Sequence, residues 1–524
     1  MDIAQIESLV GLPLYPLSVA PAGEATLFLV RGAAGKRLAV LARPADPLLA
    51  LFAGEPVERQ GWQLLLCLPD GANAESLRAC LPWLRPAPLG LRPSAGCGDR
   101  IGLATPGHVR AGRACPGALP GLGMIFAQQS IREMTRSARS AQAVMDDATW
   151  GLFQEGWGVP GAGGAANAPA MGTDADHLKT PADIDLCVAA GFTFFTIDPS
   201  EHVDGRADDR LEPDLRAAYA ALPWSDLDSR PAALLAAYRG RRFAGEGRAW
   251  QLDEATLVRA AVKYGRAVAH TARLYRHLAA VMRGPFDLEL SIDETDTPTT
   301  HAEHVFIAAE LRRLGVKWTG LAPRYAGSFE KAVDYIGDLA EFERSFAGHA
   351  AIARALGPYK LSLHSGSDKF SIYPIAARQA RGLLHLKTAG TSYLEALRAL
   401  AGFDPPLFRE ILAFSLARFP TDRASYHVST RLERVPAPSV VPDDELPALL
   451  DQPDTRQVLH LTFGSVLNPE HSFRPRLLAG LAAHEEEHYA ALERHFIRHL
   501  QPLFGGAGVR KLLSDGGFSA ASGV

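Results

Sequence analysis

The chain has 524 residues, with 54 Lys and Arg against 58 Asp and Glu, so its formal net charge is −4. Its basic residues form no run of about five or six, which argues against nucleic acid as a partner. Every apolar stretch ends before the ~20 residues that cross a bilayer, and the acidic start MDIAQIESLVG is unlike a signal peptide. Its five cysteines include no CxxC pair, which fits free thiols in a reducing compartment. We expect a cytoplasmic protein that binds neither nucleic acid nor membrane.

The chain divides into three predicted parts. Residues 1–95 alternate short apolar runs with Gly and Pro turns, which predicts a small N-terminal α+β cap domain. In residues 96–436, apolar runs end in polar clusters and longer helical patterns follow them. Residues 437–524 are helical in pattern and end in a Gly/Ser tail, which predicts a C-terminal helical extension.

The middle part predicts an α/β fold, a TIM-like (β/α)8 barrel, because strand, polar loop and helix recur about eight times. The predicted strands are RIGLATPGH, GMIFAQQS, FTFFTIDPS, FDLELSIDET, VKWTGLAPRY, YKLSLHSGSD, LLHLKTAGT and SYHVST. Apolar residues from Val258 to Met282 keep the 3-4-3 spacing of a helix that packs on a sheet. The Gly- and Ala-rich stretch 156–173 has neither period and is predicted to be a loop or an active-site lid.

Several of these strands place polar side chains inside the barrel. Side chains of a barrel strand point alternately inward and outward, and catalytic groups gather at the carboxyl ends of the strands. The side chains predicted to point inward are Glu289, Ser291, Asp293, Ser362, His364, His385 and Lys387. The exit loop adds Glu294, and the segment TDADHLKT adds Asp176, His177 and Lys179. So many polar groups indicate a functional site.

Histidines at the ends of separate strands are typical of a site for a first-row divalent metal ion. We predict that His177, His364 and His385 bind Zn, Mn, Ni or Co. His427 in SYHVST is a further candidate, whereas His349 and His460 lie in helical patterns that are typical of packing.

The string HEEEH, from His484 to His488, matches the zinc-peptidase pattern HExxH. A third ligand is missing, because Ala491 and Arg494 occupy the positions of the metzincin Gly and His. We therefore expect these histidines to lie on a solvated face of the last helix. No nucleotide site is predicted, because GAGG does not open a helix and GxxxxGK[ST] is absent.

In the same regions the sequence resembles the tagaturonate epimerase family, also called tagaturonate/fructuronate epimerases. The resemblance covers roughly residues 95–500 and is carried by GDRIGLATPGH, IFAQQSIREMTR, DADHLKT, SIDETDTPTT, LAPRYAGSFEKAVDYIGD, HAAIARALGPYKLSLHSGSDKF, LHLKTAGTSYLEALR and YHVSTRLERVP. It implies a metal-dependent inversion of one secondary alcohol in a ketohexuronate. The positions carried over are Asp176, Asp293 and Glu294 as acid/base groups and His177, His364 and His385 as metal ligands.

The implied reaction inverts a carbon beta to the ketone, whose proton simple enolisation does not acidify. Retro-aldol cleavage, a half-turn of the aldehyde and re-addition need a Lewis-acidic metal and a proton-handling group on each face. We choose Asp176 and Glu294 for these two roles, with Asp293 as the alternate to Glu294. Direct proton removal and a lysine Schiff base stay open as other routes.

The predicted partner is a small sugar acid. Lys179, Lys387 and Arg136 are predicted to hold its carboxylate, and Ser365 is a further substrate-binding candidate. Two alternative functions remain: a metal-dependent aldolase or aldose–ketose isomerase on the same barrel, and a catalytically silent sugar-acid sensor. A homo-oligomer is also left open.

Overall fold

The computed structural model describes residues 3–33, 35–115, 121–159, 171–426 and 428–504. The N-terminal part contains an antiparallel sheet in the order β1-β2-β3-β5-β4 with two helices. These elements are α1 (Ile3–Val10), β1 (Ala20–Ala22), β2 (Ala25–Gly32), β3 (Gly35–Ala42), β4 (Gly54–Arg59), β5 (Trp62–Cys67) and α2 (Gly71–Cys80). One face of β2 packs Phe28 and Val30 against α1, and the other face turns Leu27 and Leu29 into the main core.

A closed barrel of eight parallel strands follows, which confirms the predicted (β/α)8 fold. Its strands, in order around the barrel, are β6 (Ser94–Cys97), β7 (Gly123–Ser130), β8 (Gly172–Leu178), β9 (Phe194–Ile197), β12 (Asp287–Ile292), β13 (Gly320–Pro323), β14 (Lys360–Leu363) and β15 (Leu384–Thr388). A two-stranded hairpin of β10 (Arg242–Gly245) and β11 (Arg248–Gln251) lies between β9 and β12 in the sequence.

Helices surround the barrel and continue beyond its last strand. They are α3 (Thr105–Ala114), α4 (Ile131–Arg136), α5 (Ala141–Gln154), α6 (Pro181–Ala189), α7 (Glu212–Ala220), α8 (Pro231–Tyr238), α9 (Glu254–Val281), α10 (His301–Arg313), α11 (Leu339–Leu356), α12 (Tyr373–Ala380), α13 (Thr391–Phe403), α14 (Pro405–Asp422), α15 (Pro453–Leu461), α16 (Phe463–Val466), α17 (Phe473–Ala483) and α18 (Glu485–Phe504). The helix α9 confirms the 3-4-3 spacing seen in the sequence. None of the described helices is long and apolar enough to cross a membrane.

Two of the predicted barrel strands are wrong. The segment RIGLATPGH is a turn that leads into α3, because the Asp99 carboxylate accepts the backbone N–H groups of Ile101, Gly102 and Ala104. The described part of SYHVST contains no strand, since the N–H of Ser429 donates to a carboxylate instead of a neighbouring strand. The two barrel positions that the prediction gave to these segments are occupied by β6 and β8. His427 and residues 160–170 of the Gly-rich stretch lie outside the described residues.

The C-terminal helix α18 is not the solvated surface that its charges predict. It packs against α3, α12 and α13, and its side chains His488, His495 and His499 are buried. His484 is exposed at 41% of its side chain. The glutamate of the HExxH pattern, Glu485, is buried and bonded to the N-terminal sheet, so its role in the described structure is to join the two ends of the chain.

Candidate active site

The interior of the barrel is filled with charged and polar side chains. The buried polar and charged groups include Ser94, Asp174, Asp176, Thr196, Glu289, Ser291, Lys360, Ser362, His385 and Lys387 on its strands and His364 directly after β14. Branched aliphatic residues usually fill such a barrel, and buried charges are costly unless they are paired. The interior is therefore built for chemistry rather than for packing.

Lys387 is the central cation of this interior. Its Nζ lies 2.7 Å from Asp176 Oδ1, 2.9 Å from Asp174 Oδ2 and 2.9 Å from Glu289 Oε1, and it donates to Thr196 Oγ1 at 2.6 Å. Burial alone lowers the pKa of Lys387, but the three carboxylates raise it above its ordinary value. Lys387 thus stays charged and holds Asp176 at the mouth of the barrel.

A β-bulge gives β8 two adjacent side chains at the mouth. Its pairing with β9 shifts between Ala175 and Leu178, and His177 has a positive φ of 53°. A bulge adds one residue to a strand and redirects the side chains that follow. Strict alternation turns His177 away from the interior when Asp176 points in, whereas the bulge lets both line the same cavity.

Three side chains form a candidate metal centre at this point. Asp176, His177 and His364 each offer one ligand atom, and these atoms lie within 4.8 Å of one another. Nδ1 of His177 lies 3.2 Å from Asp198 Oδ2, and Nε2 of His364 lies 2.6 Å from Glu289 Oε1. Metal-binding imidazoles commonly donate their other nitrogen to a carboxylate in this way.

Carboxylates dominate the charge around the two imidazoles. Those that act on His177 or His364 are Asp176, Asp198, Glu289, Asp293 and Glu294. Burial lowers the pKa of both rings, but these carboxylates raise it, to about 10 for His177 and to about 9 for His364. Two imidazoles and a carboxylate are ligands that first-row divalent metal ions take, so the donor set fits a metal ion.

A cavity of about 300 Å³ opens above this group at the carboxyl ends of the strands. Its lining includes Arg100, Arg132, Glu133, Asp176, His177, Lys179, Asp198, Glu294, Lys331, His364, Ser365, Lys387, Tyr426 and His460. Catalytic sites of (β/α)8 barrels lie at this end, and small-molecule pockets begin at about this volume.

A family model described as tagaturonate epimerase matches residues 15–503. The chain belongs to the tagaturonate epimerase family. It is 41% identical over 495 residues to a tagaturonate/fructuronate epimerase of Thermotoga maritima, which covers 94% of this chain and 98% of that relative. A crystal structure of a fructuronate-tagaturonate epimerase from Cohnella laeviribosi, complexed with one glycerol, is 35% identical with a TM-score of 0.86 and covers 95% of this chain and 98% of that one. The native structure of that protein gives the same values.

As a member of this family the chain is an enzyme, a carbohydrate epimerase of the isomerase class. Of its three predicted metal ligands, the structure brings His177 and His364 together, and Asp176, the neighbour of His177 on β8, lies with them. His385 lies deeper in the barrel, where Nδ1 is 2.9 Å from Ser94 Oγ and Nε2 is 4.0 Å from Asp174 Oδ2. It is not part of the group around His177.

The predicted substrate-binding residues fall in different places. Lys387 is buried among its carboxylates, and Lys179 lines the cavity while its Nζ lies 2.7 Å from Glu201 Oε1. Arg136 donates to the Tyr426 hydroxyl at 2.7 Å and is not among the residues that line the cavity. Ser365 lines the cavity beside His364 in the family's HSGSDKF segment.

The two acidic candidates after β12, Asp293 and Glu294, also have different surroundings. Glu294 is exposed and lines the cavity, and one of its oxygens is within 4.8 Å of ligand atoms of His177 and Asp198. Asp293 is turned toward His364, with Oδ1 3.4 Å from Nδ1 of that ring and 2.6 Å from Ser291 Oγ. Of the pair, Glu294 is thus the one that faces the cavity.

Several cavity residues were not predicted from the sequence, among them Asp198, Arg132 and Lys331. Asp198 is the first residue after β9 in the predicted strand FTFFTIDPS, and its place at a strand end was an available signal. Arg132 and Lys331 lie in IFAQQSIREMTR and LAPRYAGSFEKAVDYIGD. No periodicity separates these two cations from the many surface cations of the chain.

Proposed function

We propose that this epimerase interconverts D-tagaturonate and D-fructuronate with a divalent metal ion held by Asp176, His177 and His364. The observation that carries the proposal is the convergence of these three ligand atoms at the floor of the cavity. The relatives are named as epimerases of tagaturonate and fructuronate, which supports this pair as the substrates. The size of the cavity fits a sugar acid. The five unpaired cysteines fit a cytoplasmic enzyme.

When bound, the metal ion supplies Lewis acidity toward the ketone oxygen of the substrate. The protein holds the ligands in place through buried neighbours. Asp198 accepts from Nδ1 of His177, and Lys387 fixes the Asp176 carboxylate. Burial raises the pKa of Asp176, but His177, Lys387 and His364 lower it further than burial raises it. Asp176 is therefore a good ligand and a poor base.

Glu294 is the group we assign to proton transfer. Its carboxylate accepts the proton from the hydroxyl group on the carbon to be inverted, and the adjacent carbon–carbon bond then breaks. The electron pair of that bond moves to the ketone end as an enolate, and the hydroxyl-bearing carbon becomes an aldehyde. After the aldehyde turns, the bond re-forms on its other face and the proton returns to the oxygen. No atom is gained or lost, as an epimerisation requires.

A proton NMR time course on tagaturonate tests the function directly. We expect fructuronate to accumulate until the two epimers reach equilibrium, with turnover lost after EDTA treatment and restored by Zn, Mn, Ni or Co. Release of free aldehyde fragments identifies an aldolase, and movement of the carbonyl group identifies an aldose–ketose isomerase. No change in the spectrum with any of the four metals contradicts the proposal.

A further inference from the structure

Among the residues that the structure describes, five Lys and Arg side chains line the cavity, and three of them are neutralised by carboxylates. Arg100 lies 2.7 Å from Glu133, and Lys179 lies 2.7 Å from Glu201. Lys387 is surrounded by the three carboxylates described above. The positive charges of these three cations are therefore already balanced by carboxylates of the protein.

The other two cations, Lys331 and Arg132, have no ion pair with any residue that the structure describes. Nζ of Lys331 donates to the neutral hydroxyl of Ser365 at 2.6 Å. The guanidinium of Arg132 lies 5.0 Å from the centre of the Tyr426 ring, and Arg132 is exposed. Both cations can thus accept an anionic partner without losing an existing ion pair.

Two described residues after α14, Tyr426 and Ser429, contact Arg132 and the chain neighbour of Lys331. Tyr426 packs against Arg132, and Ser429, three residues later, donates its N–H and its hydroxyl to Glu330 at 2.8 and 2.9 Å. Glu330 is the neighbour of Lys331 in the chain, and its carboxylate is engaged with Ser429 and Gln457 rather than with Lys331.

The surroundings of Lys331 leave its charge without compensation. His460 lines the same cavity, and its pKa is held well below the ordinary value by burial first and then by the charges of Arg100 and Lys331. The ring is therefore neutral. The acidic groups Asp176, Asp198 and Glu294 instead surround His177. The cavity thus holds two cations without a described ion pair in addition to its metal-binding group.

We propose that Lys331 and Arg132 bind the carboxylate of the substrate and make the enzyme select a ketohexuronate over the neutral ketohexose with the same carbon chain. This inference rests on the proposed function and adds the residues that determine the substrate class. Charge-assisted hydrogen bonds from ammonium and guanidinium groups are about twice as strong as neutral ones. A neutral ketohexose carries a primary alcohol in place of the carboxylate. Its hydroxyl oxygen can accept a hydrogen bond from these cations, but it brings no negative charge to pair with them.

The test compares Lys331→Met and Arg132→Met with two matched controls. The controls are Lys317→Met and Arg283→Met, which change exposed cations just before β13 and β12, at the other end of the barrel. The readouts are KM and kcat for tagaturonate, and the inhibition constant of the neutral ketohexose as a competitor in the same assay. Thermal melting of each variant verifies that it is folded.

We expect KM for tagaturonate to rise roughly 10- to 100-fold in each cavity variant, the range for the loss of one charged hydrogen bond. The inhibition constant of the ketohexose should stay within about twofold of wild type, and Lys331→Arg should restore most of the affinity. Unchanged KM in both cavity variants overturns the inference, and so does an equal loss of affinity for the acid and the neutral sugar. A wild-type enzyme that is inactive on tagaturonate contradicts the proposed function instead.

Discussion

Asp176 and Glu294 lie near the same imidazole, His177, but in different surroundings. Asp176 is buried and bonded to Lys387, whereas Glu294 is exposed to the cavity. We predict that Glu294→Gln lowers kcat by roughly 10²–10⁴-fold with the metal content unchanged, the usual effect of losing a general acid or base. Asp176→Asn should instead lose metal and activity together. Steady-state kinetics and metal analysis distinguish the two, and near wild-type turnover in Glu294→Gln excludes it as the base.

The ion pairs of Lys387 predict an effect on the free energy of unfolding. Lys387→Met leaves Asp174, Asp176 and Glu289 buried without their shared cation. Removing one partner of a buried ion pair costs about 3–5 kcal/mol, so we expect the free energy of unfolding to fall by about that amount. Denaturant unfolding measures it, with the exposed Lys317→Met as the control. A cost below about 1 kcal/mol means that the carboxylates are compensated in another way.

At the scale of elements, a histidine pair joins α10 to α11. Nδ1 of His304 lies 2.9 Å from Nδ1 of His349, and the Tyr359 hydroxyl lies 2.7 Å from Nε2 of His304. Burial lowers the pKa of His304 to about 3 and that of His349 well below its ordinary value. Both rings are therefore neutral in the folded protein at pH 7.

This pair predicts a loss of stability in acid. The unfolded chain binds more protons than the folded one below about pH 6.5, so the free energy of unfolding falls as the pH decreases. Each ring contributes up to about 1.4 kcal/mol per pH unit between pH 6.5 and its folded pKa. In His349→Met the decline between pH 7 and pH 5 should be shallower, whereas in the exposed Lys317→Met, which removes no histidine, it should match wild type. Equal declines in all three proteins contradict the role of the pair.

The elements also show what could be inferred from the sequence. Alternation correctly predicted Glu289, Ser362, His364 and Lys387 inside the barrel, because their apolar neighbours face the helices. It missed β8 as a strand, since GTDADHL faces a charged interior and lacks an apolar pattern. The bulge at His177 is a feature of the pairing with β9, and no single-strand pattern encodes it.

At the scale of the whole molecule, recurrence of strand and helix was enough to predict the barrel. The burial of α18 was not predictable from its composition, because its charged residues pair with parts of the chain that are distant in sequence. Tyr15 donates to Glu485 at 3.0 Å, and Nζ of Lys36 lies 3.0 Å from the same carboxylate. The depth of His385 likewise depends on Ser94, which belongs to the strand that closes the barrel.

We propose that the epimerase works with a metal ion held by Asp176, His177 and His364. The most direct test is the metal content per chain of the purified wild type, His364→Ala and His385→Ala, measured beside their turnover. We predict about one metal ion per chain in wild type and in His385→Ala. In His364→Ala both metal and turnover should be lost, since a catalytic site seldom survives the loss of one of three ligands. Full metal content in His364→Ala, or full turnover by a metal-free wild type, contradicts it.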